Sequence, residues 1–205
     1  MMALEADRPM PLAQEQRRLA RERIERAAWV VLREQGLAAT VDDVAAEAGV
    51  SIRTVFRHYG TRDHMIAAAL RAQLHHYGDT LPRPEEGVAV DAWLRALLVE
   101  CHRLNAELGR AYWELASHGD TLEGELADVA AKRRVARKKL VDAVATTAWR
   151  LAGCDRRPPR WLVDVFAIHL SSFATRALVA DFQRGADDVA EASARALLAV
   201  LEVAT

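Results

Sequence analysis

Residues 40–65, TVDDVAAEAGVSIRTVFRHYGTRDHM, constrain this chain more than any other stretch. They predict two short helices joined by a tight turn, followed by the start of a third. Thr40 is placed to cap the first helix, and Asp43 supplies a carboxylate near its N-terminus. Val44, Ala45 and Ala48 recur at helical spacing and make one short apolar face. Gly49 stops the helix where a left-handed residue costs least. Ser51 caps the next helix. There Val55, Phe56 and Tyr59 fall on or near one side, and Ile52, Arg53, Arg57 and His58 on or beside the opposite one.

A helix, a Gly-containing turn and a second helix form a helix-turn-helix, whose second helix typically enters a DNA major groove. The outward chemistry suits that use. Arginine can donate two hydrogen bonds to a guanine edge, and threonine and histidine can donate to phosphate oxygens. A short motif of this kind also occurs as a solvated hairpin in an ordinary α-bundle, so its context decides.

The context is a resemblance over residues 17–70 to the N-terminal domain of TetR-like (TetR/AcrR-type) bacterial transcriptional regulators. Thr40, Val41, Val44, Ala45, Ala48, Gly49, Val50, Ser51, Thr54, Val55, Phe56, His58, Tyr59, Arg62, Asp63 and Met65 match that pattern in register. The likeness in residues covers about a quarter of the chain; the remainder resembles the family only in helix number and length. Two positions depart from it. Phe56 stands where many members carry a Tyr whose hydroxyl reaches phosphate. Arg62 replaces the more usual Lys, keeping the charge but changing the donor geometry.

A chain of 205 residues holds one or two compact domains. Its net charge of −1 gives DNA binding no general support, so cations must be concentrated locally. They are. Arg17, Arg18, Arg21, Arg23 and Arg26 cluster at the start of the first long helix, and Arg53, Arg57 and Arg62 follow in and just beyond the motif. The N-terminus lacks an apolar core of signal-peptide length and no run has the length of a membrane helix, so a cytoplasmic protein without a membrane partner is expected. Cys101 and Cys154 have no metal-ligand spacing and are expected as free thiols. His75 and His76 point about 100° apart on a helix and cannot chelate together. No cofactor, metal or enzymatic motif is recognised.

Residues 1–16 are expected to form a disordered arm, with Arg8 a candidate minor-groove or backbone contact. The helix-turn-helix domain spans 17–62, and 63–205 forms an effector-binding and dimerisation domain. Helix one is expected from Arg17 to Gln35, with Ala20, Ile24, Ala27, Val31 and Gln35 as its stripe. Further helices are expected over about 62–77, 88–108, 110–117, 122–152, 159–184 and from Asp187 to the end. The basic run KRRVARKK, Lys132–Lys139, is expected as a solvated face, with a second nucleic-acid patch as the alternative. Residues 159–184 are apolar on nearly all sides, which predicts burial on more than one face. With the last helix they suggest a two-fold, four-helix dimer interface, as the resemblance also implies. The fold class is therefore all-α: a three-helix helix-turn-helix domain, then a larger bundle whose last two long helices form a homodimer.

The candidate DNA-contacting residues are Arg17, Thr40, Ser51, Ile52, Arg53, Thr54, Arg57, His58, Tyr59 and Arg62. Ile52 and Arg53 would face bases; Thr54, His58, Arg62 and Arg57 would mostly fix register on phosphates, with a base contact the alternative for Arg57. Aromatic and polar residues of the second half suggest an internal pocket: Trp93, Cys101, His102, Asn105, Tyr112, Trp113, His118, Trp149, His169, Ser172, Phe173 and Arg176. The resemblance implies a small, largely apolar effector that releases a repressor from a double-stranded, inverted-repeat operator. The alternatives are a constitutive architectural DNA-binding protein and an α-helical enzyme; for the latter no nucleophile–base pair or metal set can be placed.

Overall fold

The computed structural model describes residues 11–204; Arg8 and the first ten residues of the expected arm lie outside the described residues. The described residues form ten α-helices and one 3-10 turn. The order is α1 (Leu12–Gln35), the turn Gly36–Ala38, α2 (Val41–Ala48), α3 (Ile52–Tyr59), α4 (Arg62–Thr80), α5 (Val90–Ala106), α6 (Arg110–Ser117), α7 (Gly124–Leu151), α8 (Arg160–His169), α9 (Ser172–Phe182) and α10 (Ala186–Ala204). Helix α1 begins at Leu12 rather than Arg17, so residues 12–16 are helix and not arm. The expected single helix over 159–184 is two helices, bent by 45° at their junction. The Ser171 side chain accepts the Phe173 N–H there, capping α9 where the sequence offers neither Gly nor Pro. Among the described residues, no single helix is long and apolar enough to cross a membrane.

Two compact units emerge: one holds the described residues up to Gln73 together with Gly109–Val129, the other Leu74–Leu108 together with the residues from Ala130 onward. Helices α4 and α7 each begin in the first and end in the second.

The first unit is built on α1. Ile24, Ala28 and Leu32 are fully buried on its inner face, flanked by Ala27 and Val31. Burying each large aliphatic side chain contributes about 1.5–3 kcal/mol. Helix α2 packs on α1, and α3 on α2. Helix α6 also packs on α1, although it comes much later in the chain. Two contacts hold it. The Glu114 carboxylate accepts the Leu37 N–H. Gly109 lies so close to Arg33 that an added Cβ would stand 2.2 Å from the Arg33 Cα.

The second unit has the larger core. Helix α10 lies along α5, and α8 and α9 pack on α10. Leu94, Leu98, Leu162, Phe166 and Leu197 are fully buried between them, with Trp149 of α7.

Gly109 has an ordinary backbone conformation (φ −90°, ψ −172°), so Gly109→Ala would add no backbone strain, only a collision with the Arg33 main chain. The expected outcome is a loss of about 1–3 kcal/mol, as for overpacking, measured by urea denaturation.

Candidate nucleic-acid interface

The helix-turn-helix forms as its capping residues require. The Asp43 N–H donates to Thr40 Oγ1 (3.2 Å) and the Thr40 N–H donates to Asp43 Oδ2 (3.3 Å), a reciprocal box at the start of α2. The Thr40 hydroxyl adds a further bond that holds the Asp43 carboxyl below the usual carboxylate range. Gly49 closes α2 in the left-handed region (φ 60°). Ser51 Oγ then accepts the Thr54 N–H at 3.2 Å and opens α3.

Helix α3 carries three stripes at i, i+4 spacing. Val55 and Tyr59 are buried against the unit; Ile52 with Phe56, and Arg53 with Arg57, face solvent. Phe56 corrects the sequence expectation. One residue beyond Val55 means a turn of about 100°, which carries its ring outward, where it is 45% exposed.

Tyr59, expected as a DNA contact, spends its hydroxyl inside the unit. Its hydroxyl donates to the Glu25 carboxylate (3.1 Å) and, more weakly, the Arg21 carbonyl (3.3 Å), both on α1. Burial, reinforced by Glu25, pushes its pKa far above the ordinary phenol value. Arg21 pairs with Glu25 at 3.0 Å and lies over the Tyr59 ring. Tyr59 is therefore an anchor rather than a displayed group.

Arg62 differs in the same way. Its Nε donates to the Ala39 carbonyl (2.7 Å), a second nitrogen donates to the Leu37 carbonyl, and a third pairs with Asp63 (2.9 Å). The guanidinium thus clamps the loop before α2, and phosphate contact is not its first role. Thr40, Ser51 and Thr54 likewise use their side chains in capping: the Ser51 and Thr54 hydroxyls share a 2.9 Å hydrogen bond.

What remains displayed is compact. Arg17 on α1 and Arg57 and His58 on α3 line a cleft of about 540 Å³ with Gln16 and Ala20. His58 is held below the usual imidazole pKa, first by burial and then by the charges of Arg57, Arg21 and Arg17. A group disfavoured as a cation by three guanidinium neighbours reports a positive local field. A phosphate fits that field.

Residues 24–69 match the family model described as bacterial regulatory proteins, tetR family. Over these residues the chain is similar to that family. They include α2, α3 and the start of α4. Solved structures share the fold across most of the chain. A transcriptional regulator from Rhodococcus sp. Rha1 is 23% identical, with 90% of this chain and 97% of that one covered and a TM-score of 0.68. A TetR transcription regulator from Haloarcula marismortui is 23% identical, covering 91% and 98%, with a TM-score of 0.66. FadR from Bacillus subtilis, solved in complex with stearoyl-CoA, is 13% identical, covering 86% and 96%, with a TM-score of 0.64. No functionally curated protein matches in sequence.

In the second unit, some pocket candidates come together and others do not. Cys101, His102 and Asn105 on α5 form one buried polar network with Tyr77 of α4 and Thr175 of α9. The Tyr77 hydroxyl donates to Asn105 Oδ1 (3.1 Å), Asn105 Nδ2 donates to Thr175 Oγ1 (3.2 Å), and His102 Nδ1 lies 2.8 Å from the same Thr175 oxygen. Tyr77 and Thr175 were missed because neither stands out in its own helix. Thr175 is wholly buried, which only the packing of α9 reveals. Cys101 lies 3.2 Å from the Tyr77 hydroxyl, and burial pushes its thiol up to about 11, so it is not a reactive thiolate. Trp93 and Trp149 belong to the hydrophobic core, Trp93 donating to the Pro82 carbonyl at 3.1 Å. Phe173 and Arg176 are exposed, and Ser172 is buried. Tyr112 and Trp113 stack edge to face on α6 and, with the exposed His118, fall in the first unit.

Burial, with the neighbouring His169 adding to it, lowers His102 to about 4. Its folded pKa is below that of the unfolded chain, so both states are neutral at pH 7 and only the unfolded state gains a proton as pH falls. Stability is lost between about pH 6.5 and 4, reaching roughly 2 kcal/mol at pH 5. His169, also lowered by burial, acts in the same direction. The urea midpoint should fall from pH 7 to pH 5 in the wild-type protein, and less steeply in His102→Asn.

Proposed function

We propose that this chain is a dimeric repressor that holds an inverted-repeat operator through α3 and releases it when a small apolar ligand enters the C-terminal domain. The proposed division is DNA binding over 17–62 and ligand binding with dimerisation over 63–205. The observation that carries the proposal is the three-stripe geometry of α3. Its inner stripe is anchored, and Arg53 and Arg57 stand beside Ile52 and Phe56 on the outside. Arginines suit guanine edges, and apolar side chains suit thymine methyl groups. Arg17, Arg57 and His58 supply the phosphate contacts that set register.

A dimer is supported by apolar side chains left in solvent on the C-terminal helices. Trp161, Ile168, Phe173 and Phe182 are between 45% and 66% exposed on α8 and α9. Two-fold pairing there would present two α3 helices to half-sites roughly 34–36 Å apart. An effector site in the second unit is supported by the His102 network, a set of polar side chains buried among hydrophobic neighbours. A few buried polar groups in an apolar surround are what orient a ligand in such a core. A cytoplasmic location belongs to the same proposal.

Mobility shift with DNA flanking the gene is the direct test. A folded dimer should retard an inverted repeat at low salt, and Arg53→Ala should weaken it by about 1–3 kcal/mol while relaxing specificity at one position. Failure of the folded dimer to bind any such fragment would sink the proposal. The dimer has its own test in sedimentation velocity: Ile168→Glu with Phe182→Glu should convert the wild-type dimer to a folded monomer.

A further inference from the structure

Helix α6 belongs to the same compact unit as the helix-turn-helix, although it follows α5 in the chain. Ala111 and Leu115, one turn apart, are buried, and α6 packs on α1 and on the turn Gly36–Ala38. Glu114, the residue before Leu115, is thereby carried to that turn. Its Oε2 accepts the Leu37 N–H at 2.5 Å, and its Oε1 accepts Arg110 Nε at 2.7 Å. Gly36 makes room for the carboxylate. Its φ of 76° favours glycine, and an added Cβ would stand 2.5 Å from both carboxylate oxygens.

Leu37 is held from its other end as well. Its carbonyl accepts a nitrogen of Arg62, whose Nε donates to the Ala39 carbonyl at 2.7 Å. One residue thus gives its N–H to a carboxylate from α6 and its carbonyl to a guanidinium from α4. Charge-assisted hydrogen bonds are the strong ones, and a donor left without its acceptor costs more than a typical bond gains. Thr40, the cap of α2, follows Ala39 directly, and α3 packs on α2. The place of the Leu37–Ala39 backbone therefore decides where α2 begins and, through α2, where α3 stands.

We infer that Glu114 is a positioning residue for operator binding: acting through the Leu37 N–H, and opposed by Arg62 on the Leu37 carbonyl, it fixes the backbone that leads into α2 and α3. The inference rests on the operator reading and adds to it a residue outside the helix-turn-helix.

The test is a mobility shift of the full chain on two probes, the inverted-repeat fragment retained by the wild-type protein and a scrambled duplex of the same length. Glu114→Ala should weaken binding to the inverted repeat roughly tenfold, the loss expected for one charge-assisted bond. Its binding to the scrambled duplex at low salt should not change, because the displayed arginines remain. Glu114→Asp keeps the charge but draws the carboxylate back by one methylene, and should behave like Glu114→Ala. Glu114→Gln keeps an acceptor oxygen in place and should stay within about twofold of wild type. Arg110→Ala removes only an exposed ion pair and should also stay within about twofold.

Amide exchange separates positioning from plain stability. The Leu37 N–H should exchange faster in Glu114→Ala and Glu114→Asp than in Glu114→Gln, in conditions where urea curves show every variant folded. Wild-type affinity for the inverted repeat in both Glu114→Ala and Glu114→Asp, equal loss in Glu114→Gln, or equal loss on the scrambled duplex overturns the inference and leaves the operator reading standing. A folded wild-type protein that retains no duplex overturns both.

Discussion

The bond from the Tyr59 hydroxyl to Glu25 sets the rotation of α3, and the DNA-facing surface depends on that rotation. A helix of eight residues has little stability of its own. Val55 and Tyr59 give it one buried edge, and the hydroxyl adds a direction, because it must reach α1 to find an acceptor. Once that edge is fixed, the 100° step of the helix decides everything else on it. Arg53 and Arg57 can only face outward, and Phe56 must turn out with them. Glu25 in turn pairs with Arg21, whose guanidinium covers the tyrosine ring. A residue that looks like a DNA contact by position thus acts earlier, by aiming those that are displayed.

What was legible in the sequence was local chemistry. Thr40, Asp43, Gly49 and Ser51 each act within three or four residues of themselves, and each does in the structure what its type predicts. Helix α6 was legible for the same reason, bounded by Gly109 and the turn beyond Ser117. What was not legible depends on distant partners. Arg62 follows a turn and opens a helix, which is where a phosphate ligand is expected; nothing near it reveals that the carbonyls of Leu37 and Ala39 reach it first. The junction at Leu170–Ser171 is marked only by serines, which also occur inside helices, so apolar content alone joins α8 to α9. Phe56 shows a third limit. Its apolar type groups it with Val55 and Tyr59, whereas the phase of the helix, set by its neighbours on either side, overrides type.

The buried polar network of the second unit is a different constraint. Tyr77, Cys101, His102, Asn105 and Thr175 come from α4, α5 and α9, and hydrophobic residues of matched volume would pack there at no lower stability. Hydrogen bonds tie those helices in one relative register. They also make that register sensitive, since a buried imidazole responds to any polar group admitted beside it. Retaining such a network in a core otherwise built of Leu, Trp and Phe fits a protein that changes state better than one that only holds shape.

Charge is organised by the same logic of placement rather than amount. A net charge of −1 conceals two cationic clusters built in different ways. Around His58 the guanidiniums of Arg17 and Arg57 stand on two helices and face a shared open cleft, which suits a rod of phosphates approaching from outside. On α7 the cations share one helix, one of them is withdrawn from water, and apolar side chains flank them. The difference between the two clusters lies in burial and not in the number of positive charges.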